Sequence, residues 1–373
     1  MQIAEFSLER YFARWEFSVR HVLCASDVEP IALDELLALA DPASRELWDN
    51  LRLGYTESLG HPQLRAEIAG LYTSAAPDDV ITFTGAEEAV FLLMHALLAP
   101  GDHAVVAWPA YQSLFEVARA IGAEVTLVPL DPRDWSLDPE AVVAALRPNT
   151  RVVVLNFPHS PTGTLLPRAS FDRLTSETER RGITLLSDEV YRFLELDPGD
   201  RLPAAVDVGQ RTVSMGVMSK SFALAGLRVG WIATHDEALR ARLAVLKDYT
   251  TICGSAPSEI LSIIALRARA LVLGRSAGII AHNLPLLDSF FERFSERFAW
   301  IRPRGGSVAF PRLLTNREGA ADRFCDALVE SEGVLLLPGS RFGYPGNHFR
   351  IGFGRADMPQ ALERLERFAQ RPD

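Results

Sequence analysis

From residue 80 the chain alternates between short apolar runs rich in β-branched residues and longer stretches with helical spacing. The runs at residues 80–84, 104–107, 125–128, 152–155, 183–186 and 229–232 predict strands, and a further small apolar run leads from Ser214 towards Lys220. Helical periodicity lies between most of them, at 87–98, 114–121, 139–146 and 171–181. Such alternation predicts an α/β fold with a mostly parallel, seven-stranded sheet. Loops that follow parallel strands gather at one edge, where folds of this kind bind ligands.

After about residue 258 the alternation stops. A long helix is predicted over 276–298, then Gly305-Gly306, short strands at 307–310 and 334–337, a helix over 320–330, a last strand at 349–353 and a closing helix over 358–369. These elements describe a smaller α+β unit. The predicted division is an N-terminal arm at 1–45 that joins the small domain, a large domain at 46–275 and a small C-terminal domain at 276–373. No internal repeat or low-complexity linker separates them, so the boundary is expected on a continuous helix. In the arm, aromatic and basic residues interleave (Tyr11, Phe12, Arg14, Trp15, Phe17, Arg20), as in a segment packed on something else. Asp34 is read as the cap of a helix over 34–40, and Pro62 as the first turn of one running to residue 74.

Composition narrows the class. Of 373 residues, 48% are hydrophobic and 23% charged, ordinary for an enzyme-sized globular protein. A net charge of −10 argues against nucleic acid as a partner. The start, MQIAEFSLERYF, has no apolar core of a secretory signal, and the longest apolar run, 89–100, is broken by His95 and too short to span a bilayer. Cys24, Cys253 and Cys325 are far apart and odd in number, which fits a reducing cytoplasm and neither a disulfide framework nor a zinc site. A soluble, cytoplasmic protein with no membrane association is expected.

The chemistry-bearing residues follow the predicted strands. Lys220 comes after an apolar run that should carry it inward, where an ammonium ion is costly; a partly desolvated lysine can act as an amine nucleophile. Arg228, within Gly226-Leu227-Arg228-Val229-Gly230, offers a fork for a phosphate. Lysine, phosphate clamp and tight glycine turn together suggest pyridoxal phosphate (PLP); a surface lysine beside a glycine-rich turn is the plainer alternative. Thr84-Gly85-Ala86-Glu87-Glu88 marks a strand end and helix start, an anion site if Glu87 and Glu88 point away, or an ordinary αβ turn. Tyr111 could stack on a flat ring or simply open an amphipathic helix. Residues 156–163, Asn-Phe-Pro-His-Ser-Pro-Thr-Gly, form a rigid turn. Asp188, ending an apolar strand, needs a partner such as a pyridinium N–H, while no nearby histidine supports a metal. Arg350, in the apolar run Phe349–Phe353, asks for a carboxylate from substrate or from the protein itself. Serine-hydrolase, P-loop and zinc-protease motifs are missing.

In order and spacing, Tyr55, the Gly85 turn, Tyr111, the 156–163 turn, Asp188 with Tyr191, Lys220 with Arg228, and Arg350 resemble the class I/II aminotransferases of PLP fold type I. The resemblance covers the chain from about Gly54 to Phe353 and implies catalytic roles for Lys220, Asp188 and Tyr191. Lys220 would be the Schiff-base lysine and proton shuttle. Arg228 and the backbone at Gly85 and Ala86 would hold the phosphate, with Glu87 and Ser219 also at the cofactor. Tyr111 would stack on its ring and Asp188 would pair with N1. Tyr191 would meet O3′ beside Asn156 and Ser160, and Arg350 would take the substrate α-carboxylate. Tyr55 would reach the phosphate of a second subunit, which implies a homodimer with composite sites, and residues 247–255 resemble the loop that crosses that interface.

Three departures stand out. Ser160 replaces the asparagine usual before Pro161-Thr162-Gly163, Val217 stands where a phosphate-binding serine is common, and no arginine lies near Thr250 to hold a second carboxylate. A dicarboxylic substrate is therefore disfavoured. Within the family the likeness runs to bacterial members grouped with capreomycidine synthase, which act on arginine-derived amino acids by elimination and cyclisation. The expected function is aminotransferase action on an L-α-amino acid, with β- or γ-elimination, replacement or cyclisation as the alternative. A non-catalytic regulator on the same fold is a third reading.

Overall fold

The computed structural model describes residues 2–371. Its centre is a seven-stranded sheet built from β1 (Val80–Phe83), β2 (His103–Trp108), β3 (Glu124–Pro129), β4 (Thr150–Asn156), β5 (Thr184–Asp188), β6 (Thr212–Val217) and β7 (Gly230–Ala233). The spatial order is β1-β7-β6-β5-β4-β2-β3. All neighbours are parallel except β7, which runs antiparallel to both β1 and β6. Strands β1, β6 and β7 are buried along their whole length, which is why they read as unbroken apolar runs rather than alternating ones.

Helices cover both faces. Gly85–Leu97 buries Ala89, Val90, Leu93 and Met94 against β1, β6 and β7, and Arg168–Arg181 ends on Gly182 in the left-handed conformation, a stop that glycine accepts freely. Towards the C-terminus, Val308–Ala309, Phe349–Gly352 and Leu337–Pro338 form a three-stranded antiparallel sheet with Phe349–Gly352 in the middle. It shares a core with the helices Ala320–Glu332 and Met358–Ala369 and with Leu23 and Val28 of the N-terminal segment.

The structure revises several sequence expectations. The arm contains an unpredicted helix, Ser7–Trp15, whose Leu8, Tyr11 and Phe12 are buried. Asp34 does not cap the next helix: that helix is Leu33–Ala38, and Glu35 reaches back to the Ala32 N–H at 3.4 Å instead. A separate helix, Pro42–Asp49, is capped by Asp41, which accepts from the Ser44 N–H at 2.7 Å, and the Pro62 helix stops at Ala69. The long helix runs Arg269–Arg293, earlier than the predicted 276–298. By length and composition it alone among the described residues could cross a membrane. Its Ile280, Leu284, Leu287, Phe290 and Phe291 are packed in the C-terminal core, so here it is a core helix.

Candidate active site

Parallel pairing aligns the ends of the central strands. Asn156 at the end of β4 lies opposite Asp188 at the end of β5, and Asp188 lies opposite Met215 of β6. Gly230, the first residue of β7, pairs with Phe83 on one side and Val217 on the other, so the turns after β1 and β6 arrive at the same edge. There a cavity of about 660 Å³ opens. Its walls bring together Ala86, Glu87, Tyr111, Asn156, Ser160, Asp188. Tyr191, Ser219, Lys220, Arg228 and Arg350 line it too, while Gly85 and Tyr55 of the predicted set do not. Val217, with no hydroxyl to offer, lines it as well.

At the phosphate end, Gly85 has φ +80°, and a Cβ there would lie 2.5 Å from Arg228 Nη2. A Cβ on Gly230 would lie 2.7 Å from the Gly85 carbonyl carbon and 2.9 Å from the Ala86 nitrogen. The two glycines therefore let β7 and the guanidinium close on the start of the 85–97 helix, whose free N–H groups attract an anion. The two acids beside them part company. Glu88 turns back to accept from the Thr84 N–H at 2.6 Å and from the Thr250 and Thr251 hydroxyls. Glu87, which the anion-site reading needed to point away but the resemblance put at the cofactor, opens into the cavity, where Ser113 donates to it at 3.2 Å. Glu87 keeps an exposed face, yet desolvation about its carboxyl, with the charge of Glu9, pushes that group up to about 7.

At the ring end, Asp188 is buried; among the described residues it has no ion pair and accepts only from the Val190 N–H at 3.2 Å. Burial pushes its carboxyl up to about 7. Asn156 fixes the strand edge, donating to the Asp188 carbonyl at 3.1 Å and accepting from the Ser160 N–H at 2.8 Å. Tyr191 donates its hydroxyl to the Ser26 carbonyl at 2.7 Å, so its proton is already committed. Tyr111 is likewise held by Glu9 at 2.5 Å.

Arg350 is 2% exposed and lies at the centre of its small sheet, between the rings of Phe12 and Phe342. Its Nε donates to the Cys24 carbonyl at 3.0 Å, and its buried Nη2 has no hydrogen-bond partner among the described residues. A guanidinium nitrogen left unpaired in the interior calls for an anion from outside.

Tyr55 is not brought to the cavity; it is 92% exposed. Sequence reasoning also missed the arm's contribution. Phe6, Glu9, Phe12, Glu16 and Ser26 all line the cavity. The signal was there in the helical spacing of Leu8, Tyr11, Phe12 and Trp15, which places one apolar face on the protein and leaves Glu9 and Glu16 beside the opening.

The residues present fit PLP on structural grounds: a glycine-lined anion cradle beside Arg228, a buried carboxyl at Asp188 with no ion pair among the described residues, and a lysine on the same cavity. Fold and site thus define a PLP-dependent transferase of fold type I. Comparison with known proteins agrees. The family model for aminotransferase class I and II matches residues 34–368. Capreomycidine synthase of Streptomyces vinaceus is 34% identical over 363 residues, 95% of this chain and 91% of that protein. A PLP-dependent aminotransferase from Streptococcus suis superposes with a TM-score of 0.92 at 29% identity, covering 100% of this chain and 99% of that one. The PLP-dependent cyclase OrfR gives a TM-score of 0.90 at 31% identity, with 99% and 98% covered. The chain belongs to the class I and II aminotransferase family; it is an enzyme, and its cofactor is PLP.

Proposed function

We propose that the protein is an aminotransferase for an L-α-amino acid, with Lys220 as the amine that condenses with the cofactor's aldehyde. The observation that carries this reading is one cavity joining Lys220 and Asp188 with the unpartnered Nη2 of Arg350. When bound, PLP supplies an aldehyde and a protonated ring that draws electrons from the substrate's α-carbon. Asp188 then holds the ring nitrogen protonated, since a buried carboxylate without a cation gains most from an N–H⁺ partner. Arg228 and the N–H groups at Gly85 and Ala86 take the phosphate, with the Ser219 hydroxyl beside them, and Tyr111 covers the ring. Ser160 and Asn156 would stand by the cofactor's phenolic oxygen, and Tyr191 would exchange the Ser26 carbonyl for it. Arg350 would take the α-carboxylate, and the Lys220 amine would move the proton at the α-carbon.

The second reading, elimination, replacement or cyclisation at the β- or γ-carbon, is favoured by one feature. Glu87 places in the cavity a carboxyl poised near neutrality, able to pass a proton to a leaving group. The two readings separate when the cofactor-loaded protein meets single amino acids without a keto acid. One stoichiometric conversion of the cofactor to its amine form supports transamination. Repeated turnover with release of ammonia or another leaving group supports the second.

The working form would be a cytoplasmic homodimer with composite sites. Exposed Leu53 and Tyr55 lie on a loop tied to residues 247–254, where Thr56 donates to the Gly254 carbonyl and Ser58 to Asp248. Exposed Tyr249 and Ile252 continue that patch, which suits a second copy. A monomer in sedimentation of the cofactor-loaded protein would rule this assembly out.

A further inference from the structure

The turn that carries Tyr111 is clamped to the start of the N-terminal helix Ser7–Trp15. The Ser7 N–H donates to Gln112 Oε1 at 3.0 Å, and Gln112 Nε2 donates back to the Glu5 carbonyl at 2.9 Å. Beside this reciprocal pair, the Tyr111 hydroxyl donates to Glu9 Oε1 at 2.5 Å. The Phe6 ring packs against that of Tyr111, with centroids 5.0 Å apart. Glu9 is therefore held in place by its own helix and by the docking of residues 5 and 7 on Gln112.

Tyr111 itself lies between β2 and the helix Ser113–Ile121, outside both, yet its ring lines the cavity. A tyrosine ring turns about two side-chain torsions, and holding its far end fixes both. The 2.5 Å separation is that of a hydroxyl bonded to a carboxylate, a bond about twice as strong as a neutral one. Burial and the nearby carboxylates of Glu87 and Glu9 push the Tyr111 phenol well above its ordinary range, so it stays protonated as the donor. A phenol that donates to a carboxylate also gains electron density in its ring. Such a ring attracts an electron-poor pyridinium face more strongly.

We infer that Glu9 is a positioning residue for the cofactor: through the Tyr111 hydroxyl it sets the angle and the electron density of the ring that covers the pyridine. This rests on the reading above, in which Tyr111 covers the ring, and adds the residue that aims it. Glu9 acts through Tyr111 and needs no contact of its own with PLP. The N-terminal segment thereby contributes to how the cofactor is held, as well as to the wall of the cavity.

The test titrates PLP into the apoprotein and follows both affinity and the circular dichroism of the bound cofactor's visible band. That band reports the asymmetric surroundings of the ring, which a loss of fold stability alone would not change per bound cofactor. Glu9→Ala should weaken binding about threefold to tenfold, the worth of an aromatic stack, and diminish the band. Glu9→Gln keeps an oxygen that accepts from the hydroxyl, so it should retain more of both than Glu9→Ala. Tyr111→Phe keeps the ring but not the hydroxyl and should match Glu9→Ala. The double variant Glu9→Ala/Tyr111→Phe should then be no worse than either single one. Unchanged affinity and band in Glu9→Ala, losses that add in the double variant, or Glu9→Gln no better than Glu9→Ala would each overturn the proposal. Tyr111→Ala tests the reading beneath it. If removing the whole ring also changed neither quantity, Tyr111 would not cover the cofactor at all. An effect of Tyr111→Ala with none from Glu9→Ala would remove Glu9 alone.

Discussion

Lys220 Nζ donates to the Ser26 hydroxyl at 2.7 Å, which ties the lysine beyond β6 to the N-terminal segment. The Ser26 carbonyl also accepts from Tyr191 at 2.7 Å and from Ser307 at 2.9 Å. One residue of the arm thus orients the lysine and a tyrosine of the large sheet, and also binds the small C-terminal sheet. An ammonium group with few partners is sensitive to the loss of any one of them.

Ser26→Ala should therefore slow the reaction without releasing the cofactor. We expect kcat to fall about tenfold, the scale of one hydrogen bond to a charged group, with cofactor occupancy unchanged by absorbance. Lys220→Ala is the reference. After borohydride reduction and denaturation, mass spectrometry should find cofactor on the wild type and on Ser26→Ala and none on Lys220→Ala. Cofactor retained covalently by Lys220→Ala would move the attachment site elsewhere.

The pH dependence of stability should report Asp188. Burial raises its carboxyl from 3.8 to about 7, so the folded chain holds that proton more tightly than the unfolded chain does. The resulting stabilisation is complete below the unfolded value and is lost as pH rises through the folded one. Glu87, raised from 4.5 to about 7, acts in the same direction. Without cofactor, the urea midpoint should fall between about pH 4 and about pH 7, and fall less in Asp188→Asn. Loaded protein should show a shallower fall, because an N–H⁺ on the ring favours the ionised carboxylate. Identical profiles for wild type and Asp188→Asn would remove Asp188 as the cause.

A methyl group at the phosphate cradle should cost more than one elsewhere. In Gly85→Ala the new Cβ would meet Arg228 Nη2 at 2.5 Å with the backbone at φ +80°, which displaces the guanidinium and strains the turn. Cofactor affinity should drop by about tenfold or more. Gly274, within the 269–293 helix, has open space around its Cβ position, so Gly274→Ala should leave affinity unchanged and stabilise the helix by up to about 1 kcal/mol. Equal effects of the two substitutions on cofactor binding, measured by titration of the apoprotein, would sink the cradle assignment.

Much of this architecture was legible because parallel strands buried on both faces leave unbroken apolar runs, and chemistry-bearing residues stand where those runs end. Lys220, Asp188 and Asn156 announce themselves that way. What strand periodicity could not reveal is contact between distant segments. Ser26 is an ordinary serine until folding sets it against Lys220 and Tyr191. Glu87 looks like any acid in a helix's first turn, and only the position of the 85–97 helix decides that it enters the cavity while Glu88 does not. Tyr55 marks another limit: the family pattern drew attention to it, and in this chain it stands 92% exposed, away from the cavity.

Arg350 allows substrate binding to be separated from cofactor binding. Its Nη2 is the unpartnered atom, its Nε holds the Cys24 carbonyl, and its planar head sits between two aromatic rings. Lysine keeps the charge but cannot reproduce the fork or the stacking, so Arg350→Lys should raise KM for the amino acid by about tenfold to a hundredfold. Cofactor occupancy and its absorption should stay as in the wild type, because Arg228 and Asp188 are untouched. Arg350→Met keeps the apolar packing and removes the charge, so it distinguishes loss of an anion partner from loss of fold. Both variants should lose the thermal shift that simple carboxylates such as acetate or propionate give the loaded wild type. If Arg350→Met bound those carboxylates as the wild type does, the orphaned nitrogen would serve the protein's interior rather than a substrate.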